Sequence, residues 1–147
     1  MTDELTFRAA NEEDVEAIAR IEALSFKTPW SVEMILSEMK EPISSFTVAT
    51  REEKIVAYYG YLHILDELHI LNVAVDPDLR GQGVGKRLME HLLEEAQALS
   101  VRAITLEVRE SNQSAIRLYE KAGFVLAGVR PHYYTDKENA LIYWLEL

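Results

Sequence analysis

With 147 residues and nearly half of them apolar, the chain has material for one well-packed core, and a single domain over residues 1–147 is expected. Its formal charge of −10 argues against a nucleic-acid binder, which needs a basic face, and suits a partner that is small or itself cationic. There is no cysteine, which removes disulfides, thiolate metal sites and a cysteine nucleophile, and no apolar run approaches the ~20 residues of a membrane helix.

The elements follow in chain order. The opening "MTDELTFRAANEED" is acidic and lacks the apolar centre of a signal peptide, so a cytoplasmic location is expected. Within it "LTFRAA" alternates as a strand does. "NEEDVEAIARIEALSF" places Val15, Ile18, Ile21, Ala23 and Leu24 on a helical stripe, with Asn11 as N-cap and acids in the first turn. After Pro29 a second helix starts in "TPWSVEMILSEMK", with Ser31 as its cap. "SFTVATREEKIVAYYGYLHILDELHILNVAVDPD" reads as three strands with turns at Glu52–Lys54 and near Asp66–Glu67, an antiparallel meander. Its third strand, "LHILNVAV", is almost unbroken apolar and should be central.

A helix then runs from about Gly83 to Leu99, with Val84, Leu88, Leu92 and Ala96 at spacing four and Met89 and Leu93 beside them. "AITLEV" is a strand, "SNQSAIRLYEKAGF" a capped helix ended by Gly123, and "FVLAGV" and "ALIYWLEL" a closing strand pair. The order β-α-α-β-β-β-α-β-α-β-β predicts an α/β (α+β) fold, a mixed, mostly antiparallel seven-stranded sheet flanked by about four helices. The four histidines have no metal spacing, so no metal is expected.

The turn "LRGQGVGKR" has three glycines in five residues, flanked by Arg80, Lys86 and Arg87. A helix start presents unpaired N–H groups and a partial positive charge, and glycines let an anion approach the backbone. Together these form a pyrophosphate cradle. The residues alone also allow a plain strand-to-helix link. The spacing fits neither a Walker loop nor a dinucleotide fingerprint.

In "LEVRESNQSAIRLYEKAGF", Glu107 alternates away from the face shared by Ile104, Leu106 and Val108. A carboxylate at mid-sheet needs a partner or a task, either an ion pair with Arg109 or another base, or proton transfer. Tyr119, on the following helix, is open to a core or a catalytic role, and Asn112 to capping or ligand contact.

Arg80-Gly81-Gln82-Gly83-Val84-Gly85 resembles the Arg/Gln-x-x-Gly-x-Gly/Ala motif of the GNAT superfamily of N-acetyltransferases, and the element order is also that family's. Leu106 to Phe124, "TPWS" around Trp30 and "VRPHYYTDKENALI" are similar to the RimI-type acetyltransferases of ribosomal-protein N-terminal alanine. The resemblance implies that Glu107 accepts a proton and Tyr119 donates one. It further implies that Val73, Ala74, Val75, Arg80, Gly81, Gln82, Gly83, Val84, Gly85, Lys86 and Asn112 contact acetyl-CoA as co-substrate. Trp30, Tyr133 and Tyr134 are candidates for binding the acceptor peptide, the ribosomal-protein N-terminus; Trp30 equally suits anchoring the first two helices, and the tyrosines a plug on the sheet edge.

Without cysteine, transfer should be direct, in a ternary complex. At pH 7 deprotonating an α-amine of pKa ~7.7–8 costs about 1 kcal/mol, against about 4.6 for a lysine near ~10.4, so one glutamate suits the α-amine better. Asp66 and Glu67 either attract a basic tail or simply form a solvated turn. The alternatives are the same fold acting on lysine or a small-molecule amine, and a non-catalytic acyl-CoA-sensing module. A monomer is expected.

Overall fold

A computed structural model describes residues 4–147, so the first three residues of the acidic amino-terminal stretch lie outside the described residues. Seven strands form one sheet, β1 (Thr6–Ala9), β2 (Ser44–Arg51), β3 (Lys54–Ile64), β4 (Glu67–Val75), β5 (Ala103–Arg109), β6 (Val125–Arg130) and β7 (Ala140–Glu146). Their spatial order is β1-β2-β3-β4-β5-β7-β6, and every pairing is antiparallel except β4 with β5. The central place expected for "LHILNVAV" is where β4 sits.

Helices α1 (Val15–Ser25) and α2 (Val32–Met39) cover one face, and α3 (Val84–Ala98) and α4 (Gln113–Lys121) the other. The α3 stripe forms as its spacing requires, with Val84, Leu88, Met89, Leu92 and Ala96 buried against Tyr59, Leu68 and Ile104. Each fully buried leucine contributes about 1.5–3 kcal/mol. The opposite core joins Val15, Ile18 and Ile21 of α1 and Ile35 of α2 to Val48 and Tyr58. Asn11 accepts from the Glu13 amide in a short 3-10 turn that precedes α1, and Ser31 accepts from the Met34 amide to cap α2.

The α1 stripe departs from the expected one. Leu24 is 54% exposed and Ala23 also faces solvent, whereas Glu22 is 0% exposed. Position 22 lies one turn beyond Ile18 and continues the inner face, so helix geometry prevailed over hydropathy.

The feature that prepares a site is the parting of β4 and β5. Their ladder holds only at Glu67–Ala103, Leu68–Ile104 and His69–Thr105. Immediately beyond it, Gly60 faces Asn72 and Tyr61 faces Ile70, which leaves Leu71 as an extra residue on β4. Such a bulge bends its strand. β4 stays with β3, β5 stays with β7, and a wedge opens between them.

Candidate active site

The wedge contains two connected clefts. The larger, about 910 Å³, runs from Val73, Ala74 and Val75 past the glycine turn to α4. The smaller, about 130 Å³, lies among Trp30, Asn72, Leu106, Glu107 and Tyr134. Phe26, Val73, Asn112, Ala115 and Tyr119 line both, so the two meet at Tyr119.

The turn at the outer end is built to receive an anion. Asp76 fixes its entry by accepting from the Asp78 amide at 3.0 Å and pairing with Arg20 at 2.9 Å. These contacts, the amide first, lower the Asp76 pKa. Gly81 and Gly83 take φ of +80° and +82°, a left-handed backbone that L side chains rarely adopt. Gly83 is the N-cap of α3 and offers no side chain to its first amides, whereas α4 is capped by its own Asn112. The first-turn amides of α3 therefore remain free to bind a ligand. Arg80, Gly81, Gly83, Gly85 and Lys86 line the larger cleft. Gln82 and Val84 do not: Gln82 accepts from Arg51 at 3.3 Å, and Val84 is 1% exposed in the core. Arg117 and Lys121, one turn apart on α4, add cations to the opposite wall, and the sequence reading missed both.

At the inner end, Tyr119 is buried, and among the described residues its hydroxyl has no hydrogen-bond partner. Burial, and then the nearby Tyr134, push its pKa well above that of an ordinary phenol. Glu107 does project away from the face of Ile104, Leu106 and Val108, and its Oε2 meets Arg130 Nε of β6 at 2.8 Å. Thus the ion pair open to it is formed with Arg130, not with Arg109. Asn112 accepts from the Ala115 amide at 3.2 Å while lining both clefts, so capping and cleft contact coexist.

The acceptor side has two walls. One is the turn between α1 and α2, where Trp30 lines the smaller cleft and also packs on the α1–α2 core, combining the two roles left open to it. The other is the loop of residues 131–139. Tyr134 lines the cleft and sits over the Arg109 guanidinium at 4.0 Å, with its pKa pushed up to about 12, chiefly by burial. Tyr133 packs edge-on against Tyr134 at 5.1 Å and stays half exposed outside the cleft. Asp66 and Glu67 pair with Arg102 at 3.0 and 2.6 Å at the closed end of the wedge. Asp66 is the exposed turn residue and Glu67 opens β4, and neither lines the acceptor cleft.

Arg109 joins the walls, donating to Asp136 and Glu138 and, from Nη2, to Thr28 Oγ1 at 3.3 Å. The Ser111 amide donates to Glu138 Oε2 at 2.8 Å. Contacts with Ser111 and then Arg109 hold the Glu138 carboxyl at about 2, against an ordinary 4.5. A depressed carboxyl pKa stabilises the fold above its unfolded value, and this contribution is lost as pH falls through the folded one. The melting temperature of Glu138→Gln should therefore lie below that of the wild type at pH 7, and the gap should close between pH 4.5 and about 2. Melts across that range check this; a gap independent of pH would contradict it.

Among the described residues no group of three or more His, Asp or Glu could hold a metal, and no helix is long and apolar enough to cross a membrane. The model of the Acetyltransferase (GNAT) family matches residues 15–124, from the start of α1 through α4. The chain belongs to this family. It is thus an N-acetyltransferase using acetyl-CoA, and the seven-stranded fold agrees with that. By sequence it is 39% identical over 140 residues to the [ribosomal protein bS18]-alanine N-acetyltransferase of Escherichia coli K12, covering 93% of this chain and 94% of that one. The crystal structure of the E. coli ribosomal-protein-S18-alanine N-acetyltransferase superposes with a TM-score of 0.89 at 36% identity over 97% of this chain and 94% of that one. Ard1 from Thermoplasma volcanium superposes with a TM-score of 0.92 at 33% identity, covering 97% of each chain.

Proposed function

We propose that the protein transfers the acetyl group of acetyl-CoA to the N-terminal alanine of ribosomal protein bS18, in the cytoplasm, as a monomer. The observation that carries this is the wedge itself. It has a cationic glycine turn at one end, a tyrosine hydroxyl and a carboxylate at the other, and between them strand backbone that β5 does not pair. The E. coli relative, matched along almost its whole length, carries that activity in its name.

The diphosphate of acetyl-CoA is assigned to the amides and cations of Arg80 to Lys86, and its pantetheine arm to the free edge of Val73–Val75, which it meets as an added strand would. A β4 amide there polarises the thioester carbonyl. The alanine enters the smaller cleft, whose 130 Å³ suits a small first residue, between Trp30 and Tyr134. Tyr133 supports Tyr134 from outside. Glu107 takes the ammonium proton through a water, and the amine attacks the carbonyl directly. Tyr119 donates to the departing sulfur.

Glu107→Gln should lower kcat at pH 7 by about 10–30-fold, a smaller loss than a general base often brings, because an α-amine is already about one-tenth free there. The deficit should shrink as pH rises through 8, while the acetyl-CoA Kd stays unchanged. Collapse of acetyl-CoA binding in this variant would make Glu107 structural. The function itself is tested by CoA release with a panel of acceptors. A peptide of the bS18 amino terminus should exceed its N-acetylated, lysine-bearing form and a polyamine by a wide margin. Equal rates would favour a broad amine acetyltransferase, and tight acetyl-CoA binding without release would favour a sensing module.

A further inference from the structure

The mechanism leaves the fully buried carboxylate of Glu22 without a task. Glu22 of α1 is 0% exposed to bulk solvent and forms part of the lining of the acceptor cleft. Three donors converge on it, each from a different piece of chain. The Trp30 amide donates to Oε1 at 3.0 Å. The Tyr58 hydroxyl of β3 and the Asn72 amide of β4, the latter at 3.0 Å, both donate to Oε2. Burial raises the Glu22 pKa, and the Trp30, Tyr58 and Asn72 donors oppose that rise.

The places these donors come from matter. Trp30 belongs to the turn that supplies Phe26, Thr28 and Trp30 to the acceptor cleft. Asn72 follows the bulge at Leu71 and immediately precedes Val73–Val75, the cleft-lining end of β4. The carboxylate thus ties one wall of the acceptor cleft to the strand that opens the wedge. For stability alone, an apolar residue of similar volume at a buried position serves as well as a charge or better. What an apolar residue cannot do is hold three donors at fixed distances from one point.

We propose that Glu22 is a positioning residue for acceptor binding: it sets the distance between the Trp30 turn and β4, and so the width of the acceptor cleft. The proposal rests on the assignment of the smaller cleft to the acceptor.

The test uses Trp144→Phe as the parent, which leaves Trp30 as the one tryptophan. Glu22→Gln and the milder Tyr58→Phe are compared with it. Expected for Glu22→Gln is a rise in KM for the bS18 peptide of about tenfold, a kcat changed much less, and an acetyl-CoA Kd within about twofold of the parent. Acrylamide should quench Trp30 more readily as its turn loosens. Tyr58→Phe should move peptide KM and quenching the same way by less. If Glu22→Gln fails to fold, Tyr58→Phe decides on the same criteria. An unchanged peptide KM, an equal loss of acetyl-CoA affinity, or quenching identical to the parent overturns the proposal. Quenching needs no turnover, so a parent that acetylates no peptide counts against the assigned activity, while the quenching comparison still decides the role of Glu22 in holding the turn.

Discussion

Tyr119→Phe should reduce kcat by about 10²–10³-fold, with little change in acetyl-CoA Kd or peptide KM. The hydroxyl lies where the two clefts meet, and among the described residues no protein group shares its hydrogen bond. Its removal therefore leaves no buried partner orphaned, and the fold should melt near the wild-type temperature. The raised pKa also fixes how the group acts. A phenol at its ordinary ~10 gives its proton to a thiolate of pKa ~8.5 uphill by about 2 kcal/mol, and burial makes that transfer harder. Tyr119 thus acts mainly by donating a hydrogen bond to charge developing on sulfur, and the proton comes finally from solvent. The wild-type kcat should accordingly show no loss attributable to tyrosinate up to pH 10. Kinetics with saturating acetyl-CoA, with binding measured separately, check both statements. A Phe variant that retains half its turnover would leave Tyr119 a core residue.

Most of the frame was legible because local chemistry and tertiary packing agree in it. Val84, Leu88, Leu92 and Ala96 are spaced for one helix face, and that face is buried. Gly81 and Gly83 marked a turn open to an anion, and their positive φ values are ones glycine adopts freely. What the sequence hid are relations between distant residues. The apolar run of β4 has no mark that singles out Leu71 as the bulge, because register is a property of two strands. Leu24 outranked Glu22 on hydropathy, yet Glu22 faces inward, because Tyr58 and Asn72, 36 and 50 residues away, supply its hydrogen bonds. Spacing from Val15 and Ile18 was the signal that would have found it. Nothing in the sequence separates Arg117 and Lys121 from the solvated face of a short helix, because it is the placement of α4 that borders the cleft with them. Glu107 was correctly turned off its face, but Arg130 lies two strands away across β7.

Arg109→Met should raise the peptide KM on the order of 10²-fold while acetyl-CoA binds as before. The Arg109 side chain is 10% exposed, and its guanidinium meets Asp136 and Glu138 at 2.9 and 2.8 Å, reaches Thr28 and lies beneath Tyr134. Methionine keeps the length of the stem and removes every one of these contacts. Asp136 and Glu138 then repel each other, offset by the backbone amides of Ser111 and Glu138 and by Lys27, which is 3.6 Å from Glu138 and 62% exposed. The loop of residues 131–139 and the Thr28 turn lose their common anchor, and both carry walls of the acceptor cleft. A displacement of about 1 Å at such a site costs about 10² in rate, and here it falls on the seating of the peptide. The phosphate turn has no contact with Arg109, so the effect should separate by substrate. Arg109→Lys should resemble Arg109→Met more than the wild type, because one ammonium cannot span two carboxylates and a hydroxyl in a plane while stacking on an aromatic ring. Lysine restoring near-normal peptide KM would mean that Arg109 contributes only charge, and the two walls would then have to be held apart by Glu22 and the core alone.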